Sequence, residues 1–121
     1  KKSIINDFKF IEGNAKRSNM KVWTIRELLN SKELVAEGRA QGHCVASYAR
    51  SCHTGRCSIW TMDMRDDEAM TKKVTIEVNM ISKTICQIRG KRNRWPTDKE
   101  IKVLKRWAEK ESIKVSDYLT V

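Results

Sequence analysis

The sequence predicts an α+β domain: a small antiparallel sheet of about three strands with helices packed on one of its faces. Three observations carry this. Residues 58 to 64, 73 to 80 and 83 to 90 alternate apolar and polar side chains, the period of strands with one buried face. The stretch after Thr97 spaces its apolar residues at helical intervals instead. Beyond Gly55 the period changes from helical to alternating, and no linker, repeat or low-complexity segment interrupts the chain, so residues 1–121 read as one domain. The absence of an initiator Met before Lys1 points to a trimmed chain or a domain excised from a longer protein.

Taken in order, Ile4, Ile5, Phe8, Phe10 and Ile11 make a short leading element, and Gly13 to Asn19 a basic loop. Thr24 ahead of Ile25, Leu28 and Leu29, at i, i+3 and i+4, predicts a short helix near 25 to 30. Ser31 would cap a further helical turn that Gly38 ends. From Cys44, the residues Val45, Tyr48, Ala49 and Cys52 repeat at i, i+3, i+4 and i+7, a helix that stops near Thr54-Gly55.

In the strands, Trp60, Met62 and Met64 share one parity, and Asp66-Asp67-Glu68 is an acidic loop. Val74, Ile76, Val78 and Met80 alternate with Thr75, Glu77 and Asn79. A hairpin closed by Ile81-Ser82-Lys83 would set Met80 opposite Thr84, Glu77 opposite Gln87 and Thr75 opposite Arg89. A bulge in that loop would shift the pairing by one and dissolve the polar row. Thr97-Asp98-Lys99-Glu100 is a capping box behind Pro96, and it opens a helix lined by Ile101, Leu104 and Ala108 with Trp107 adjacent. Ile113, Val115, Tyr118 and Leu119 form a packed tail.

Composition narrows the partners. Twenty-five Lys and Arg against fifteen Asp and Glu leave a charge of +10, which makes nucleic acid the first partner to consider. The alternative is a basic but merely solvated surface. The longest apolar runs, such as Leu34-Val35-Ala36, fall far short of the roughly 18 residues of a membrane-spanning helix, so no membrane is expected. Cysteines 44, 52, 57 and 86 come without a secretory signal or glycosylation sequon, which favours a reduced, cytoplasmic setting over a disulfide framework.

Two groups of residues are site-like. His43 and Cys44 follow two glycines at the mouth of a predicted helix, where Cys44 would be a nucleophile with a lowered pKa or His43 a general base; the alternative is a buried small thiol beside a histidine hydrogen-bonded to the adjacent strands. Helix neighbours sit about 100° apart, so the two are not a nucleophile and its base. A pocket in which Tyr48, Glu77, Gln87 and Arg89 meet His43 would hold a phosphate through Arg89 and move a proton through Glu77 or His43, the arrangement of a nuclease or nucleotide-modifying enzyme. One carboxylate is too few for a magnesium nuclease, and the alternative is a solvent face with a cross-strand ion pair.

The second group is Arg89, Lys91, Arg92, Asn93, Arg94 and Trp95, continued along the last helix by Lys99, Lys102 and Arg106 at i, i+3 and i+7. Phosphates would follow these cations while Trp95 stacks a base; the alternative makes Trp95 a staple that pins the helix start to the core. No cofactor is expected. His43, Cys44, Cys52, His53 and Cys57 could supply a structural zinc, but no C-x-x-C knuckle accompanies them.

The order Trp23-Thr24-Ile25, Glu37-Gly38-Arg39, Gly42-His43-Cys44-Val45 with Tyr48, Gly55, Thr75-Ile76-Glu77, Gln87-Ile88-Arg89-Gly90 with Asn93, and Trp107-Ala108 resembles the PcfJ-like proteins. The resemblance covers roughly residues 20 to 110 and is densest at His43–Tyr48 and Gln87–Asn93. It implies a bacterial mobile-element setting, conjugative plasmid or phage, and an accessory role. It marks His43, Cys44, Tyr48, Glu77, Gln87, Arg89 and Asn93 without implying a settled reaction. The combined expectation is a cytoplasmic accessory domain that binds nucleic acid through residues 89 to 106.

Overall fold

The computed structural model describes residues 2–14, 19–42 and 55–116. One six-stranded sheet organises them, its strands lying side by side in chain order: β1 (Phe8–Glu12), β2 (Lys21–Glu27), β3 (Cys57–Arg65), β4 (Met70–Asn79), β5 (Thr84–Arg89) and β6 (Lys114–Val115). The first five form an antiparallel meander, and β6 joins β5 in parallel. Helix α1 (Ser31–Gln41) follows β2, and α2 (Asp98–Glu111) carries the chain from β5 back to β6. The expected α+β class holds. The sheet is twice as wide as the three strands expected and is mixed, because β1 and β6 are short and the end of β2, from Ile25, was expected as helix.

Residues 25 to 27 are strand because alternate positions Trp23, Ile25 and Glu27 are buried between β1 and β3, with Ile25 opposite Phe8 on one side and Met62 on the other. Two flanking ladders outweigh the local i, i+3, i+4 pattern. The chain leaves the ladder at Leu28, whose N–H still donates to the Ile59 carbonyl at 2.8 Å.

β3 is buried along eight of its nine residues, so the sheet is covered on both sides rather than one. On one face Trp60, Met62 and Met64 of β3 and Val74, Ile76 and Val78 of β4 pack with Val103, Leu104, Trp107 and Ala108 of α2. Trp60 and Trp107 lie with ring centroids 4.8 Å apart, and the Trp107 indole donates to the Asn6 carbonyl at 3.0 Å, fastening the N-terminal segment beneath the helix. On the opposite face Ile59 and Cys57 of β3 meet Leu28 and Leu34. The expectation of helices on one face is therefore corrected: α1 covers one side and α2 the other.

Asn30, not Ser31, caps α1: its side chain accepts the Glu33 N–H while the Glu33 carboxylate accepts the Leu29 N–H. The helix runs past the buried Gly38 and ends at Gly42, where φ is +69°. In the β4–β5 hairpin Glu77 faces Gln87 and Thr75 faces Arg89, as expected. The register then shifts, so that Val78 faces Ile85 and Asn79 faces Thr84, while Met80 lies in the turn rather than opposite Thr84. Cys86 is the extra residue of a bulge within β5. Because the bulge falls beyond Gln87, the polar row survives, and Ile85 and Ile88 both reach the core.

Candidate functional site

The site is built where β5 ends. After Arg89 the chain makes a single 3-10 turn, Lys91–Asn93, in which Arg92 and Asn93 take left-handed φ of +56° and +63°. Gly90 closes the turn from both sides: its N–H donates to the Arg94 carbonyl at 2.9 Å and its carbonyl accepts the Asn93 N–H at 3.1 Å. Arg94 then folds inward. Its guanidinium donates to both oxygens of Glu100 at 3.0 Å each, and to the carbonyls of Lys73 and Trp95. Glu100 is 3% exposed and also accepts the Thr97 N–H, completing the expected capping box at the start of α2. Burial alone would raise the Glu100 pKa, but Arg94 and the Thr97 N–H outweigh it and hold the carboxyl below its ordinary range.

This latch leaves no room for a side chain at 90, where a Cβ would sit 2.5 Å from Arg94 Cζ. It also sorts the expected cations. Arg94 is committed to Glu100, whereas Lys91, Arg92 and Asn93 are exposed. Arg89 lies over the Trp95 ring, its guanidinium carbon 4.4 Å from the centroid. Trp95 is 62% exposed, so it does not staple the helix to the core. Along α2, Lys99 pairs with Glu12 and Arg106 lies over the Phe10 ring at 4.6 Å, so these two turn toward β1 while Lys102 remains exposed.

Helix α1 arrives at the same corner. A Cβ on Gly42 would lie 3.5 Å from Arg92 Cγ, so the residue just before His43 packs against the turn that follows β5. His43, Cys44 and Tyr48 themselves lie outside the described residues, as do Cys52 and His53. Of the expected pocket, Glu77, Gln87 and Arg89 share one face of the sheet, the face on which α1 sits. Cys57 packs in the apolar cluster with Leu28, Leu34 and Ile59. Among the described residues no group of three or more His, Cys, Asp or Glu is placed to hold a metal ion. No described helix is long and apolar enough to cross a membrane.

The same face carries a buried polar cluster that sequence reasoning missed. The Glu37 carboxylate, 2% exposed, accepts from Lys72 Nζ at 2.7 Å and Thr75 Oγ1 at 2.5 Å. Lys72 also donates to Thr61 Oγ1 at 3.1 Å and lies 3.6 Å from Asp63. One helical turn beyond Glu37, Gln41 is buried with its amide nitrogen unpartnered. The signal was Thr61 and Thr75 at the polar parity of strands buried on both faces. At the other end of the sheet a cavity of about 540 Å³ lies between Glu27, Leu34, Cys57 and Met80. The Glu27 Oε1 atom that borders it accepts from Lys2 and from both the N–H and hydroxyl of Ser3, so the N-terminal segment supplies its partners.

The PcfJ-like protein family model matches residues 15–104, a span that takes in β2 through β5, α1 and the basic corner. No curated protein and no solved structure matches the chain. On the strength of that match, the chain belongs to the PcfJ-like protein family.

Proposed function

We propose that the domain binds nucleic acid through the corner formed by Arg89, Lys91, Arg92, Asn93 and Trp95, as an accessory part of a bacterial plasmid or phage working in the cytoplasm. The setting rests on the family's association with mobile elements. The binding reading rests chiefly on one observation: the corner holds its own scaffold cation, Arg94, in an internal ion pair while displaying Lys91 and Arg92. None of the ion pairs among the described residues includes either of them. Exposed cations on a rigid turn attract phosphates and release the counterions condensed on them, which makes affinity fall with salt. Lys102 is a further exposed cation, on α2.

Binding of labelled single- and double-stranded oligonucleotides, followed by anisotropy over a salt series, tests the reading. The expected log-log plot of affinity against salt falls with a slope of about −2 or steeper, since each neutralised phosphate contributes roughly −0.7 to −0.9. No binding, or a flat salt response, would remove the proposal.

A further inference from the structure

We infer that the corner takes an unpaired nucleobase, so that the nucleic acid it binds is single-stranded. This deepens the nucleic-acid reading above and rests on it. Of the four tryptophans, Trp23, Trp60 and Trp107 are no more than 4% exposed, and Trp95 is 62% exposed. Its position is fixed on both sides along the chain. Arg94 before it is locked to Glu100 and donates to the Trp95 carbonyl, and Thr97 two residues on begins the capped helix. A bulky ring held in water by a rigid backbone is a preformed platform.

One face of that platform is taken by Arg89, which leaves the other for a ligand. A flat π-surface beside cations suits a base with its flanking phosphates. In a duplex the base faces are stacked on their neighbours, and only the edges and backbone are offered. An unpaired strand presents the face itself. Lys91 and Arg92, exposed on the turn that precedes Trp95, are the cations available to neutralise the backbone phosphates that flank a stacked base. Stacking tolerates every base, so the expected preference is for strandedness rather than sequence.

Because the other three tryptophans are buried, quenching of intrinsic fluorescence reports on Trp95. Oligo-dT, oligo-rU and a hairpin duplex of matching length serve as probes, with labelled-strand anisotropy measured in parallel. Both single strands are expected to quench the emission and to bind roughly tenfold tighter than the duplex; the dT and rU arms separate DNA from RNA. Trp95→Ala should lose the quench and weaken single-strand binding about five- to a hundredfold, the range of one base–aromatic stack, with duplex affinity unchanged. Trp95→Phe should retain part of the affinity. Salt-sensitive anisotropy without any change in emission, or undiminished single-strand binding by Trp95→Ala, would overturn the single-strand inference and leave the nucleic-acid reading standing. No binding to any probe would remove both.

Discussion

Replacing Arg94 by Met tests whether the basic corner owes its shape to the latch on α2. The substitution keeps the aliphatic stem but strips Glu100 of two charge-assisted hydrogen bonds, leaving a carboxylate 3% exposed with one backbone donor. Removing one partner of a fully buried ion pair costs about 3–5 kcal/mol. The Arg94 side chain is 39% exposed, so water reaches part of the vacated space, and about 2–3 kcal/mol is expected. Urea unfolding, followed by tryptophan fluorescence, measures the loss, and the Arg94→Met, Glu100→Met double variant closes a cycle whose coupling should be about 1.5–3 kcal/mol.

Acid should erase the same stabilisation. The folded pKa of Glu100 lies below its ordinary value of 4.5, so the contribution is complete above that pH and is lost as pH falls through the lowered value. The gap between wild type and Arg94→Met should therefore narrow on acidification below about pH 4. Gly90→Ala should destabilise as well, since its Cβ would press on the locked guanidinium, and this penalty should shrink in the Arg94→Met background. An Arg94→Met variant within about 0.5 kcal/mol of wild type, or strict additivity in the cycle, would refute the latch.

Three further outcomes are expected. Glu37→Ala should lower stability by about 2–4 kcal/mol in thermal or urea unfolding, because Thr75 and Lys72 lose a buried acceptor beneath α1; an unchanged midpoint would contradict the role given to that cluster. Gly42→Ala should cost about 1 kcal/mol, from the left-handed backbone alone, because its Cβ would meet Arg92 only at ordinary contact distance; a loss several times larger in the same assay would mean the corner is more tightly closed than described. Burial, followed by the nearby Glu77 carboxylate, pushes the Cys86 thiol up to about 11, so site-resolved mass spectrometry should find it unmodified by iodoacetamide at pH 8, where about one thiol in a thousand is ionised. Rapid alkylation of Cys86 in the folded protein would contradict its environment.

What the sequence revealed was local. The Thr97–Glu100 capping box is a four-residue pattern and was legible at once, as were the three central strands and the facing pairs Glu77–Gln87 and Thr75–Arg89. What escaped depends on distant partners. The 25 to 27 stretch is strand only because β1 and β3 flank it, and Gly38 stays helical because the left-handed turn falls at Gly42. The buried cluster gathers Glu37 from a helix and Thr61, Asp63, Lys72 and Thr75 from two strands, with no spacing to announce it. The cations of the corner were visible as a run, but their division into one structural arginine and several exposed groups was not. That division depends on where Glu100 lies in space.

The most direct measurement sets placement of charge against amount of charge. Lys91→Glu with Arg92→Glu, at the corner, changes the net charge as much as Lys32→Glu with Lys114→Glu, where the exposed Lys32 lies in the first turn of α1 and the exposed Lys114 of β6 faces Thr84, at the opposite end of β5 from Arg89. Single-strand affinity over a salt series should fall at least tenfold in the corner variant, with the log-log slope reduced by about 1.4, roughly 0.7 for each of two phosphates, and should change little in the distant one. Equal losses in the two variants would mean that binding follows the overall charge of +10 and that the corner has no special part in it.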